Sequence, residues 1–355
     1  MRWRARDGAL LGELVIRSIP LCQRAEELSP RQGPGRKPKY PDWVLTVMIM
    51  VGVMLRKKTK SAQFVWWTQH QSDFARWLPG QNLPSRSTFY ERYRGAQRLF
   101  RKAIVLQGTE AVKRGWADAE CVAVDKSLIA GQGRAWKPSD RRRGHVPRAV
   151  DTDTTWGYST YDGWVQGYAF EVVVTAPRHG VVWPLVASVD TASRSEQKTI
   201  LEKLADLPRV TKFLLADSGY DSNAVGETVE WRGHRRTGRR FLCPEVPRPN
   251  TGRPPQPHQR QSRERRYHHR LRVTRRRFLK SQRGRSLYAR RKVRAEPFNA
   301  RLKQLFGLDD RVWHWGLGNN RTMILAAICI YQLLLLHNHN KGHHVANLQC
   351  LLDAL

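Results

Sequence analysis

The sequence predicts an α/β protein, a mixed sheet flanked by helices, preceded by an all-helical region. Three observations carry this expectation. Up to about residue 113 the apolar positions recur at helical spacing. From Glu120 onward the texture changes to short apolar runs of strand length, bounded by Gly, Pro and Asp. Between and after those runs lie helical segments over residues 195–207, 222–231 and 288–306.

The chain has 355 residues, enough for one large domain and a smaller one with a substantial core. Lys and Arg number 63 against 30 Asp and Glu, a formal charge of +33. A chain so positive gathers polyanions, and because the basic residues run along its whole length the expected partner is nucleic acid. No strongly amphipathic basic helix offers itself to an anionic membrane. The five cysteines, Cys22, Cys121, Cys243, Cys329 and Cys350, are scattered, odd in number and form no CxxC pair. That speaks against a zinc ribbon or disulfide scaffold and fits a reducing cytosol. No signal-peptide h-region opens the sequence. The longest apolar run, residues 323–336, is short for a membrane span and contains Gln332, so a buried core helix and no membrane are expected.

Residues 1–30 form an amphipathic helix pattern through Leu10, Leu11, Leu14, Ile16, Ile19 and Leu21. A Pro/Gly/basic linker covers 31–39. Asp42 reads as the cap of a helix through Leu55, and Ser61 as the N-cap of a second through Trp67. A third opens at 83–90 and continues through Arg92, Arg94 and Leu99 to about Lys113. Short helices joined by tight turns, the last one basic, suggest a helix-turn-helix-like DNA-binding region over 1–115, with Arg86 and Arg92 as DNA contacts. The competing reading is a helical bundle whose surface is merely basic.

In the second part, residues 121–129 read as a strand containing Asp125, and a Gly/Arg-rich loop follows over 131–149. Residues 168–175 and 181–188 make a hairpin around a Pro-Arg-His-Gly turn. The apolar run 211–216 delivers Asp217 to a sheet edge, just before a glycine and a helix. A short strand covers 241–243. Residues 232–286 are dominated by Arg, Pro, His and Gln, bury little, and read as a mobile basic insertion or a DNA-facing arm. The helix over 288–306 carries Glu296, and 341–355 reads as a C-terminal tail.

Two carboxylates that end or interrupt apolar strands, and a third on a helix able to pack on the same sheet, form the candidate constellation: Asp125, Asp217 and Glu296. Without a cation three such groups repel one another. Mg²⁺ prefers carboxylate and water oxygens, and a pair of ions ~3.5–4 Å apart clamps a phosphodiester. Glu296, Asn299, Ala300 and Lys303 share a helix face, so Lys303 stands two turns from Glu296, within reach of a backbone phosphate. Arg291 coats the same helix with Lys292, Arg294 and Arg301, and the last three, with Lys303, complete the expected DNA-binding set. The plainer reading makes Glu296 and Lys303 surface residues of a charged helix.

Four stretches resemble the DDE transposases of bacterial insertion sequences, in the IS5/IS4-like group. Ala123-Val124-Asp125 resembles the first acid strand. Residues 151–157 followed by Gly167 and Tyr168 resemble the lead into the next strand. Asp217-Ser218-Gly219-Tyr220-Asp221 is similar to the second-acid motif and is the most specific. Glu296 with Lys303 seven residues on resembles the third-acid helix, although Lys292 stands where the family has Arg. The resemblance spans about residues 37–337. It implies an RNase H-like catalytic domain over 116–340 and a bacterial cytoplasmic, nucleoid-associated protein. It also implies two Mg²⁺ ions, with Mn²⁺ able to substitute, held by Asp125, Asp217 and Glu296. The implied activity is cleavage at terminal inverted repeats of double-stranded DNA and strand transfer into a target, carried out by a homodimer or higher assembly on the DNA. A decayed, non-enzymatic DNA-binding protein and an RNase H-like nuclease without strand transfer are the alternatives.

Asp151, Asp153, Asp162 and Asp190 lie in loop-like sequence as reserve acids, and Asp221 is expected to cap the helix that follows it. His337, His339, His343 and His344 read as a solvated polar tail, since no Cys or carboxylate accompanies them. Trp66, Trp67, Trp313 and Trp315 read as core, and Asn319-Asn320 as the start of the final helix.

Overall fold

The structure is a computed structural model that describes residues 7–31, 38–78, 82–232, 235–246 and 263–355. Most of the expected 31–39 linker and the middle of the basic insertion therefore lie outside the described residues.

Six helices come first: α1 (Asp7–Leu28), α2 (Asp42–Met54), α3 (Lys60–Gln69), α4 (Gln71–Phe74), α5 (Arg86–Tyr93) and α6 (Gln97–Lys113). The N-cap of α3 is Thr59, two residues before the expected Ser61, and its side chain accepts from the Ala62 N–H at 3.1 Å. Asp42 does not cap α2, whose N-cap is Pro41. Its carboxylate is taken instead by Arg92 and by Arg98, the latter at 2.8 Å. The expected single third helix is broken by a 3-10 turn at Arg94–Ala96.

The sheet follows. Strand β1 (Cys121–Ala130) leads through the short α7 (Pro138–Arg142) to β2 (Thr155–Ser159), β3 (Gly163–Thr175) and β4 (Pro184–Thr191). Then come α8 (Glu196–Leu201), β5 (Phe213–Leu215) and α9 (Asn223–Glu230). A small ribbon of β6 (Trp231–Arg232) and β7 (Arg235–Arg236) precedes β8 (Arg240–Leu242). The sheet order is β2-β3-β1-β5-β8, with β4 also on β3. β1 is antiparallel to β3 and parallel to β5, and β5 is parallel to β8, so the sheet is mixed as expected.

Four more helices complete the chain: α10 (Arg263–Lys280), α11 (Gln282–Phe306), α12 (Leu317–Lys341) and α13 (Leu348–Asp353). Side chains alternate along a strand, so each strand feeds two cores. Cys121 and Ala123 of β1 and Phe213 and Leu215 of β5 join the large cluster with α11, α12 and the N-terminal helices. Val122 and Val124 of β1 and Leu214 of β5 join a smaller cluster with Ile200, Val225 and Tyr220 on the opposite face. The large cluster runs from Leu11 to Leu352, so the described N-terminal helices share one continuous core with α11 and α12.

α12 is the one described helix long and apolar enough to cross a membrane, but here it is the buried axis of the large core. Its polar Gln332 donates to the Ile104 and Pro184 carbonyls at 2.9 and 2.7 Å and accepts from Gln107 at 3.1 Å, as a buried amide must be satisfied.

Four further expectations need correction. The 232–286 stretch is no bare arm where it is described. α10 lays Phe278 against Phe213 with ring centroids 6.2 Å apart, and buries the Arg275 guanidinium over the Phe241 ring beside Asp221. Arginine stems and cation–π contacts let so polar a helix pack. Asp221 is therefore no helix cap; it is buried, accepts the Val246 N–H at 3.2 Å and faces Arg275. Nor is the C-terminal stretch a solvated tail throughout, although His343 and His344 are exposed as expected. α12 continues through His337, which is buried facing Glu13, and His339, which stacks on Trp116; α13 then buries Leu348 and Leu352. As expected, Trp66, Trp67 and Trp313 are buried, but Trp315 is 46% exposed.

Two buried polar groups generate predictions. Lys203 and Glu171 form an ion pair at 3% exposure each, and Tyr220 donates to the other Glu171 oxygen at 2.8 Å. Truncating one partner leaves a buried charge unmatched, so Lys203→Ala is expected to cost about 3–5 kcal/mol in urea unfolding. The double change Lys203→Met/Glu171→Leu is expected to cost clearly less. His314 is buried beside Tyr93, whose hydroxyl lies 3.1 Å away, and burial, with Lys60 adding to it, pushes its pKa down to about 4. Between the unfolded value near 6.5 and 4, the unfolded chain binds a proton that the folded chain refuses, so stability falls as pH drops. Unfolding free energies from urea titrations at pH 7 and pH 5 should differ by ~2 kcal/mol more in the wild type than in His314→Gln.

Candidate active site

Strand alternation sets the site. In β1 the odd-numbered residues Cys121 and Ala123 face the large core, and Asp125 follows them on that face. In β5 Phe213 and Leu215 do the same, and Asp217 continues the pattern. The parallel register pairs Ala123 with Leu215, so two residues further along both strands stand Asp125 and Asp217, side by side across the sheet. α11 packs against this face. Ala295, Phe298, Leu302 and Leu305 turn into the core, while Glu296, Asn299 and Lys303 line the cleft opposite the strands. One cleft of about 660 Å³ is thus lined by Asp125, Asp217 and Glu296 together with Lys126, Glu196, Arg291, Asn299 and Lys303.

Each acid is held. The Asp217 carboxylate accepts the Gly219 N–H at 2.9 Å and caps the 3-10 turn Ser218–Tyr220. That turn is pinned from behind by Tyr220 on Glu171 and by Gln197, which donates to the Gly219 carbonyl at 3.2 Å. Asp125 accepts from Arg291 at 3.0 Å and from the Asn299 amide at 2.9 Å. Glu296 accepts from Arg291 at 3.4 Å and from the Tyr161 hydroxyl at 3.2 Å. Burial, reinforced by Asp217 and Glu296 and opposed by Arg291, pushes the Asp125 carboxyl up to about 7. For Arg291 itself, burial works against the charge, but Asp125, Tyr288, Asp217 and Glu296 more than offset it and its pKa rises.

Sequence reasoning missed three of these groups. Glu196 opens α8 and enters the cleft beside the Asp217 turn. Burial first, then Asp217, push its carboxyl up to about 7, and Lys126 at 3.9 Å opposes this. Nothing in the local sequence marks it, because its neighbour Asp217 is brought in by tertiary packing. Arg291 was one of several arginines on its helix, and only the fold shows that it alone bridges Asp125 and Glu296; the family's arginine was expected at 292, where the exposed Lys292 stands. Tyr161 comes from the β2–β3 turn, whose strands were not paired in the sequence reading.

The expected DNA contacts separate into two groups. Lys303 lines the cleft, and Arg86, Lys292 and Arg301 remain at or near the surface. Arg92 and Arg294 do not fit that role. Arg92 is mostly buried and donates to the Tyr40 carbonyl at 2.7 Å as well as to Asp42. Arg294 donates to the carbonyls of Pro177, Arg178 and Gly180, clamping the β3–β4 turn. Among the reserve acids, Asp151 and Asp153 accept the N–H groups of Gly316 and Leu317 at 3.0 and 2.8 Å, satisfying the start of α12. Asp190 pairs with Arg321 at 3.0 Å. Only Asp162 reaches the cleft. Asn319 and Asn320 lie in the first turn of α12 as expected.

The donor set, carboxylates of which Asp125 and Glu196 are raised well above their ordinary value by burial and then by like charge, suits hard divalent cations. Among the described residues no three His, Cys, Asp or Glu side chains close on a single point at ligand distance. The position between Asp125 and Glu296 is filled by the Arg291 guanidinium, which supplies the positive charge there.

A basic α/β protein whose mixed sheet and crossing helix present carboxylates to one open cleft has the frame of an enzyme acting on a polyanion. A family model described as the transposase DDE domain matches residues 116–332, well over half of the chain, and the protein belongs to that family. Comparison with curated proteins gave no match. Among solved structures, the cryo-EM structure of the piggyBac transposase synaptic complex with hairpin DNA overlaps it with a TM-score of 0.38 at 9% identity. The overlap covers 96% of this chain and 76% of that one, and is too loose to add to the assignment.

Gly219 tests the packing of the acids. A Cβ built there would meet the Glu196 Oε2 at 2.0 Å and the Asp217 Oδ1 at 3.1 Å. Gly219→Ala should therefore leave stability within about 1 kcal/mol, because the end of a flexible side chain can yield. It should also turn Glu196 out of the cleft, which a crystal structure of the variant would show.

Proposed function

We propose that this transposase cuts and joins DNA strands at the ends of a bacterial insertion sequence, using Asp125, Asp217 and Glu296 as its catalytic acids in an RNase H-like core. The observation that supports the reading most is the register of β1 and β5. It sets two acids on adjacent strands at the same level, with the third across from them on α11. Asp125, Asp217 and Glu296 would hold two Mg²⁺ ions, with Mn²⁺ able to substitute, and Glu196 lies near enough to share that role. Bound ions would supply Lewis-acid activation of the attacking oxygen and neutralise charge at the scissile phosphate.

The chain's own residues do the positioning. Asn299 orients the Asp125 carboxylate through its amide, and the backbone of Gly219 fixes that of Asp217. Arg291 keeps Asp125 and Glu296 from repelling each other before substrate arrives. Lys303, whose pKa is lowered by burial while Asp162 and Asp309 counter it, offers a cation to a phosphate entering the cleft. Double-stranded DNA is the partner, met by Lys303, Lys292, Arg301 and Arg86, and joining two element ends calls for at least a dimer on the DNA. The bacterial cytoplasm, at the nucleoid, is where such a reaction has its substrate.

Asp217→Asn is expected to abolish Mg²⁺-dependent cleavage of a duplex carrying the element's end while leaving its binding within about twofold. Cleavage at the wild-type rate would overturn the assignment. Binding should weaken steeply with salt, as when about 6–10 phosphates are neutralised. A cleaved end that never joins target DNA would reduce the activity to that of a nuclease.

A further inference from the structure

The hairpin of β2 and β3 carries three large aromatic side chains into solvent at the lip of the acidic cleft. Tyr158 is 63% exposed, Tyr161 78% and Trp164 68%. Tyr158 and Trp164 are cross-strand partners, their ring centroids 5.5 Å apart at 64°, so they project from one face of the hairpin. Tyr158 and Tyr161 line the cleft itself, and the Tyr161 hydroxyl donates to Glu296 at 3.2 Å. Most of the other tryptophans and tyrosines are buried or partly buried.

The tip is built to hold its shape. The Ser159 hydroxyl accepts the N–H groups of Tyr161 and Asp162 at 3.2 and 3.3 Å. Gly163, at φ +69°, closes the three-residue loop in the left-handed conformation such hairpins require. Beyond it β3 runs into the core as a thirteen-residue strand paired with both β1 and β4. Exposed aromatic faces on a rigid support, at the rim of a functional cleft, mark a binding surface.

The surroundings identify the ligand. The cleft below the tip carries the cations Lys126, Arg291 and Lys303, which suit phosphates, whereas the tip offers flat π-faces. A paired duplex shows proteins its phosphates and base edges; only an unpaired or extruded base offers a face to stack. Resting on the DNA reading above, we propose that Tyr158, Tyr161 and Trp164 form a stacking platform for an unpaired nucleobase beside the phosphate that enters the acidic cleft. The platform would hold the strand end in place after its partner strand has been displaced.

The test uses the full chain in EDTA, so that no DNA is cut, with two probes. One is a short oligothymidylate carrying a single 2-aminopurine, and the other a blunt duplex of equal length. The double variant Tyr158→Ala/Trp164→Ala is expected to bind the single strand about tenfold or more weakly, and the duplex within about twofold of wild type. It should also lose the quenching of 2-aminopurine, and Trp164→Phe should retain most of both signals. Equal weakening on both probes, or no change on either, would overturn the platform. So would a shift from dimer to monomer in sedimentation caused by the double variant, which would make the tip a self-association face. A wild-type chain that binds neither probe would instead bring down the DNA reading itself.

Discussion

The site depends on keeping like charges together. Asp125, Asp217, Glu196 and Glu296 share one cleft, and Asp125 is carried there on a strand mostly out of water. In a chain of net charge +33 the acids are the scarce residues, and with Asp162 and Asp309 the fold gathers six of them around this cleft. Left alone, such a group would protonate or splay apart. Arg291 spans Asp125 and Glu296, Asn299 ties Asp125 to the same helix, and Lys126 approaches Glu196. Arg291 and Asn299 both lie on α11, and it is the packing of α11 on β1 that makes the collection possible.

Behind that surface lies a second electrostatic layer. Glu171, Lys203 and Tyr220 form a closed, buried set whose tyrosine belongs to the Asp217 turn. Buried ion pairs are poor sources of net stability, but once formed they tolerate little change in geometry. Here the set joins β3 to the segment before β5 and to the turn after it, and so fixes where the second acid stands.

Much of this was legible in the sequence, for identifiable reasons. Asp125 and Asp217 could be found because strand periodicity is short and each closes an apolar run. Their common face follows from counting by twos from Ala123 and Leu215. Glu296 and Lys303 could be paired because a helix repeats over seven residues. Arg291, Glu196 and Tyr161 could not be found, since each reaches the cleft through tertiary packing that no local pattern records. Arg92 and Arg294 show the opposite failure: their charge suggested phosphate contacts, while backbone carbonyls and Asp42 claimed their donors first. The 263–280 stretch looked too polar to pack because hydropathy counts an arginine as wholly polar, yet Arg275 places its guanidinium carbon over the Phe241 ring. Two of the C-terminal histidines misled in the same way, His339 stacking on Trp116 and His337 lying buried against Glu13, whereas His343 and His344 are exposed as expected.

The shared core has a consequence for how the chain is born. α1, α2 and α6 rest on α12, and between Lys113 and Leu317 the ribosome must add about 200 residues before that helix exists. At about 5–20 residues per second, the apolar faces of the first helices stay uncovered for on the order of ten to forty seconds. A nascent chain in that interval carries exposed apolar surface, which favours aggregation until α12 emerges to cover it.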